Sequence, residues 1–349
     1  MIRNLFVLLT LTTLALPLLA EAPNLPQTQY HRQTTCQGGY WNEQKWFAGN
    51  FDNQGASQSM DDWAKAFNWY GYISIDIHRT DSIGGSYMYR AVDTAIPWSA
   101  GFWLTADFDG NGLLDFGFIP YGNSVQSYQF LNYYNASDKK HSFVTHNWWV
   151  IANQHTDQTF LIGDYDGIGN LDLYHIRNFS GTLQFEVYSD HYYRRTLYYG
   201  SYSHTGGFWV IADFDGDGRP DPVHIFDAGH FSTGINLFDI PQSGSSLQIE
   251  RWENSPIPFS SFEKWIPLDI DNNGTIDLAN VRSPNGLVYI SAHLNNGQYF
   301  TNTGWVWDQG GYWPSQQWDT ADFDGDGIAD LGKAFDEGCA SIDIHLNMQ

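Results

Sequence analysis

Short runs that alternate apolar and polar residues dominate this chain. Leu173-Tyr-His-Ile-Arg177 and Leu278-Ala-Asn-Val-Arg282 follow this pattern. So do Ser74–His78, Gly234–Phe238, Tyr289–His293 and Ser341–His345. A period of two sends successive side chains to opposite faces of a strand. No stretch sustains a 3.6-residue period, so helices are expected to be scarce. Each alternating run is preceded by an acidic, glycine-bearing stretch, and that stretch recurs. Five copies align: Asp107-Phe-Asp-Gly-Asn-Gly-Leu-Leu-Asp115, Asp164-Tyr-Asp-Gly-Ile-Gly-Asn-Leu-Asp172, Asp213-Phe-Asp-Gly-Asp-Gly-Arg-Pro-Asp221, Asp269-Ile-Asp-Asn-Asn-Gly-Thr-Ile-Asp277 and Asp322-Phe-Asp-Gly-Asp-Gly-Ile-Ala-Asp330. A decayed sixth begins at Asn50, with Asp62-Trp-Ala-Lys-Ala-Phe67 matching Asp330-Leu-Gly-Lys-Ala-Phe335 after a four-residue insertion.

Successive copies start 57, 57, 49, 56 and 53 residues apart. Four positions before each start stand Trp46, Trp103, Phe160, Trp209, Trp265 and Trp318. Each repeat therefore reads as strand, acidic loop, strand, turn, strand and a less regular fourth strand. Units of this size and content fit a propeller blade. The expected fold is all-β, a six-bladed β-propeller of four-stranded antiparallel blades over residues 21–349, with repeats of about 54 residues. The 28 residues from Asp322 to the C-terminus and the 28 from Ala22 to Gly49 together make one period. The N-terminal strand, around Gln27 to Gln33, is thus expected to complete the last blade and close the ring.

In the acidic loops, alternate side chains at positions 1, 3 and 5 can converge on one ion. Glycine at position 6 allows the sharp turn, and the aspartate at position 9 completes an all-oxygen shell of the kind Ca²⁺ takes. The expected ligands are Asp107, Asp109, Asn111 and Asp115; Asp164, Asp166 and Asp172; Asp213, Asp215, Asp217 and Asp221; Asp269, Asp271, Asn273 and Asp277; and Asp322, Asp324, Asp326 and Asp330. Four to five Ca²⁺ sites follow, because Ile168 replaces one ligand in the second of these loops; the Asn50 loop is expected to bind nothing. An EF-hand would place Glu at position 12, where this chain has Phe118, His175, His224, Asn280 and Lys333.

Asp-Phe-Asp-Gly-Asp-Gly-x-x-Asp followed by a short apolar strand resembles the FG-GAP repeat, also known as the VCBS repeat. The resemblance covers residues 100–349 clearly and 40–99 weakly. It implies a calcium-binding propeller of the kind found in integrin α-subunits, some lectins and some polysaccharide lyases. It also implies that partners bind the face away from the calcium loops.

Charge narrows the partners. The chain carries 16 Lys+Arg against 39 Asp+Glu, a net charge of −23. That balance argues against nucleic acids and anionic membranes. Five Ca²⁺ would offset ten of those charges. Arg3 followed by the apolar run Leu5–Leu19 and the small residues Ala20 and Ala22 reads as a signal peptide over residues 1–20. About 15 apolar residues fall short of the roughly 20 that span a bilayer, so no membrane insertion is expected. The mature protein is expected to be secreted or periplasmic. There, Cys36, just after the N-terminal strand, and Cys339, just before the third strand of the last blade, would lie side by side at the ends of adjacent strands and form a disulfide.

Carbohydrate binding is the expected role, with a lyase acting on acidic glycans and a protein-adhesion propeller as the alternatives. The recurrent Trp ring reads as packing between blades. Irregular aromatics in or near the fourth-to-first-strand connections, Trp98, Trp148 and Trp313 with Trp149, Trp305 and Trp307, are the ligand candidates, with packing at the blade edge as the alternative reading. His175, His224, Arg177 and Arg282 are the catalytic candidates, as base and as cations for a uronate. As strand residues between blades, they also read as buried polar groups satisfied by neighbours. No Gly-x-Ser-x-Gly elbow, His-Glu-x-x-His helix or phosphate-binding loop is present.

Overall fold

The computed structural model describes residues 27–32, 43–52, 60–82, 85–122, 125–135, 137, 140–151, 158–189, 193–200, 206–239, 248–255, 257–283, 286–311, 315–336 and 339–348. All regular structure among them is strand. The chain begins with β1 (Gln27–Arg32). The first blade holds β2 (Lys45–Gly49), β3 (Asp62–Trp69), β4 (Tyr72–Ser82) and β5 (Gly85–Pro97). The second holds β6 (Gly101–Ala106), β7 (Asp115–Pro120), β8 (Val125–Asn135) and β9 (Lys140–Ile151). The third holds β10 (Gln158–Gly163), β11 (Asp172–Phe179), β12 (Thr182–Ser189) and β13 (Tyr193–Gly200). The fourth holds β14 (Phe208–Ala212), β15 (Asp221–Gly229), β16 (Ser232–Asp239) and β17 (Gln248–Ser255). The fifth holds β18 (Lys264–Leu268), β19 (Asp277–Arg282), β20 (Leu287–Asn295) and β21 (Phe300–Gly311). The last is built from β22 (Gln317–Ala321), β23 (Asp330–Asp336) and β24 (Ala340–Met348), with sheet order β1-β24-β23-β22.

Six four-stranded antiparallel sheets thus form a six-bladed β-propeller, as the repeat predicts. In every blade the first two strands share one register. The recurrent aromatic lies opposite position 12: Trp46 with Lys65, Trp103 with Phe118, Phe160 with His175, Trp209 with His224, Trp265 with Asn280 and Trp318 with Lys333. The residue before each acidic loop is small in most blades because the next blade's position-8 side chain occupies its space. A Cβ on Gly49 would collide with Leu114, and one on Gly163 with Pro220.

The second and third strands carry most of the apolar core. Trp63, Ile75, Phe116, Phe130, Tyr174, Phe185, Val223, Ile235, Ile290 and Leu331 are all buried. Blades meet through these faces: Phe51 of the first blade stacks on Phe116 of the second (5.3 Å), and Trp63 of the first stacks on Phe323 of the last (5.5 Å).

The junction of the last blade with the first has its own chemistry. Trp46 N–H donates to Gln317 Oε1 (3.0 Å), Ala48 N–H donates to Asp319 Oδ2 (2.9 Å), and Gln317 Nε2 donates to the Gln44 carbonyl (2.9 Å). Elsewhere the position of Asp319 holds Phe47, Leu104, Leu161, Val210 or Ile266. Two side chains of β22 therefore read the exposed backbone of β2 at the seam. Half-buried between the inner strands, the Asp319 carboxyl is pushed up to about 6 by desolvation.

Candidate metal centres and their surroundings

Each acidic loop is the hairpin joining the first two strands of its blade, so all five lie at the same end of the blades. The loop backbone requires two left-handed residues. Position-6 glycines have φ between 85° and 91°. Position 4 is glycine in four loops and Asn272 in the fifth, at φ 53°, a conformation asparagine tolerates. The position-1 aspartate folds back on this backbone: Asp107 accepts from Gly110 N–H (2.8 Å) and Gly112 N–H (2.8 Å), and Asp322 does the same with Gly325 and Gly327.

Position 9 has a second task. Asp277 Oδ2 accepts from Ile270 N–H (2.8 Å) while its Oδ1 accepts from Asn295 N–H (2.6 Å), so one carboxylate clamps the loop to the end of the third strand. Asp115 repeats this with Phe108 and Asn132, and Asp330 with Phe323 and Asn347. Those asparagines then reach into the neighbouring blade. Asn132 Nδ2 donates to the Phe51 carbonyl (2.8 Å), Asn295 to Phe214 (2.7 Å) and Asn347 to Ile270 (3.0 Å). Sequence reasoning missed these staples. Their recurrence 17 or 18 residues after position 9 is a signal that could have found them.

Carboxylates at positions 1, 3 and 9 converge in every loop. Asp107/Asp109/Asp115, Asp164/Asp166/Asp172, Asp213/Asp215/Asp221, Asp269/Asp271/Asp277 and Asp322/Asp324/Asp330 each bring three ligand oxygens within 4.8 Å of one another. Packing three negative charges this closely is electrostatically costly without a cation. Burial first, and the neighbouring carboxylates with it, pushes Asp115, Asp277 and Asp330 up to about 7. The donor set, all hard oxygen on a glycine-hinged loop, fits Ca²⁺. In the first blade the corresponding carboxylates meet a protein cation instead. Arg79 Nε lies 2.8 Å from Asp52 Oδ2, and the guanidinium also draws Asp62 electrostatically.

The ring at position 12 is buried. His175 Nε2 pairs with Gln158 Oε1 (2.8 Å), and the imidazole stacks on Phe160 (4.5 Å) beside Glu186 (3.5 Å). His224 pairs with the Gly206 carbonyl (3.0 Å) and stacks on Trp209 (4.4 Å). Arg177 donates to Gln184 Oε1 (3.0 Å), and Arg282 lies 4.8 Å over Tyr289. Lys65 and Lys333 pair with Asp76 (3.2 Å) and Asp343 (3.3 Å). For His175, His224, Arg177, Lys65 and Lys333 these contacts are those of buried polar groups satisfied by neighbours, and Arg282 is half-buried.

The ligand candidates separate. Trp98 is half-buried in the connection between β5 and β6, where its N–H donates to the Gly71 carbonyl (2.8 Å) and its ring stacks on Trp103 (6.0 Å). Trp148 corrects the expectation of a surface aromatic: it lies within β9, buried against Phe108 (4.9 Å), where Gly117 leaves room for its ring. Trp149, Trp305 and Trp307 belong to β9 and β21. Trp313 lies outside the described residues, as do residues 1–20 and Cys36. Cys339 is disulfide-bonded.

No protein-family model matches this chain, and no curated protein matches it. Solved structures do. A chain of the Photorhabdus luminescens Tc holotoxin pore is similar at a TM-score of 0.57 and 15% identity over 92% of this chain. The present chain spans 15% of that one. Penicillium chrysogenum alpha-L-arabinanase, solved in complex with arabinobiose, is similar at a TM-score of 0.53 and 12% identity, over 92% of this chain and 99% of the arabinanase. At these identities the likeness is one of fold.

Proposed function

We propose that this chain is a calcium-stabilised binding module of the FG-GAP/VCBS type that captures carbohydrate on the face away from its acidic loops. The observation that carries the calcium part is the convergence of three carboxylates in all five loops, with Asp115, Asp277 and Asp330 pushed up to about 7 by burial and by the carboxylates beside them. Ca²⁺ would relieve that repulsion and tie each loop to both strands it joins. With the hairpin ends so occupied, the opposite face is left for ligand. A structure of similar fold holds the disaccharide arabinobiose, which supports a saccharide as partner. The burial of His175 and His224 favours binding over catalysis as their setting.

Ring closure belongs to the same reading. The N-terminal strand completes the last blade, supported by the antiparallel pairing of β1 with β24, Gln27 opposite Met348 through Arg32 opposite Asp343. Cys36, paired with Cys339, would latch it in a secreted protein. The test combines calcium titration calorimetry with a glycan array and an absorbance assay for unsaturated uronate products. Calcium uptake with array binding and no product is the expected result. Product formation would overturn the binding-module reading in favour of a lyase. Absence of calcium uptake would overturn the metal assignment.

A further inference from the structure

Two-residue turns join the second and third strands of three blades. Trp69 pairs with Tyr72 around Tyr70–Gly71, Phe179 with Thr182 around Ser180–Gly181, and Gly229 with Ser232 around His230–Phe231. Both central residues of each turn have positive φ: 52° and 90° in the first, 54° and 84° in the second, 54° and 62° in the third. Such turns favour Asn–Gly, because a bulky L-side chain is strained in the left-handed region. Ser180–Gly181 shows that this fold closes the turn without an aromatic. Yet the first turn holds Tyr70 and the third holds Phe231 at the strained positions.

Burial does not repay the strain. Tyr70 is 86% exposed and Phe231 83%, the two most exposed large apolar side chains among the described residues. Strain kept without burial in return is a mark of function. Both tips lie on the face away from the acidic loops, since the strands leaving those loops end in these turns. The backbone bond from Trp98 N–H to the Gly71 carbonyl places the ligand-candidate connection beside the first tip. The two tips belong to blades 1 and 4, which stand opposite each other in a ring of six.

The surroundings of the first tip bear on the ligand. Tyr70 meets Trp69 edge-on (4.8 Å, 71°), and Arg90 lies 4.7 Å over the Trp69 ring. That cation is already bound to Asp76 and Asp93, so it has no need of an anionic partner. Separate flat rings, rather than one continuous patch, suit the C–H faces of sugar rings. A net charge of −23 disfavours acidic polymers. We propose that Tyr70 and Phe231 are stacking platforms for a neutral polysaccharide lying across this face, an assignment that rests on the carbohydrate reading above. Two tips on one chain would act together, so each strengthens the hold of the other.

The test is affinity electrophoresis of the full chain through gels containing arabinan, xylan, β-glucan or polygalacturonate. The wild type, Tyr70→Asn, Phe231→Gly and the double variant are compared, each with a melting curve. Asn and Gly suit the turn, so the variants are expected to melt at or above the wild-type temperature. Retardation by at least one neutral polysaccharide is expected for the wild type. Each single variant should weaken it, and the double variant should lose at least tenfold in affinity. A folded double variant retarded like the wild type would overturn the assignment and leave the carbohydrate reading standing. Retardation by polygalacturonate alone would overturn the neutral ligand class. No retardation of the wild type in any gel would overturn both the assignment and the carbohydrate reading.

Discussion

Replacing Asp277 by alanine separates the two tasks of a position-9 aspartate. The substitution removes the acceptor of two backbone N–H groups, those of Ile270 and Asn295. Both bonds are buried, and an orphaned buried donor costs about 1–3 kcal/mol. The metal-independent loss is therefore about 2–6 kcal/mol. Loss of a bound ion adds to it. A site held at 100 times its dissociation constant contributes about 2.7 kcal/mol, which vanishes with the ligand. Asp271→Ala is the control, because Asp271 sits in the outer loop and its removal forfeits mainly the metal-dependent part. Urea unfolding of wild type and both variants, in saturating Ca²⁺ and in EDTA, yields the two contributions as a double difference. Asp277→Ala should be weaker than wild type in both media, and Asp271→Ala weaker mainly in Ca²⁺.

The pH dependence has a definite sign. Asp277 is raised from 3.8 to about 7, so its metal-free contribution is fully present below about 3.9 and is lost as pH rises through about 7. Wild type in EDTA should thus gain stability between pH 8 and 5 relative to Asp277→Ala. In Ca²⁺ that gain should shrink, since the ion needs the ionised carboxylate. Equal unfolding curves for Asp277→Ala and wild type in EDTA at pH 5 would refute the clamp.

Trp46→Ala removes a buried ring that packs on Trp63 and His78, and should cost about 3–5 kcal/mol in denaturant unfolding. Asp319 is raised to about 6, so the stability of its protonated form is present below about 3.9 and lost as pH rises through about 6. Asp319→Asn should flatten the wild-type decline between pH 5 and 7 in thermal melts run at several pH values. Reduction of the Cys339 disulfide should lower the melting temperature, and mass spectrometry of a non-reduced digest should show Cys339 linked to Cys36.

Much of the fold was legible in the chain because it is encoded locally. A hairpin needs its loop and flanking strands within about twenty residues, so Asp269-Ile-Asp-Asn-Asn-Gly-Thr-Ile-Asp277 announces both turn chemistry and strand start. Repetition of that unit near a fixed period then specifies blade number. The Trp ring and its partners at position 12 were visible for the same reason: one register places them opposite each other in every blade.

What only tertiary structure decided lies between blades. Asn295 reaches the carbonyl of Phe214, 81 residues away, and Gln317 and Asp319 reach the backbone of β2 across 271 or more. Nothing in the local pattern marks Asp319 as a seam residue rather than a surface acid, because its role depends on which strand edge it faces. Trp148 resembled a surface aromatic until the space above Gly117 received it, and His175 read as a buried polar residue or a base, with nothing in the local pattern naming Gln158, Phe160 and Glu186 as its neighbours. The strained tips at Tyr70 and Phe231 belong here too, since an aromatic beside a glycine or a histidine in sequence does not reveal its φ. Periodicity fixes what each segment becomes; burial and partners depend on which distant segment closes over it.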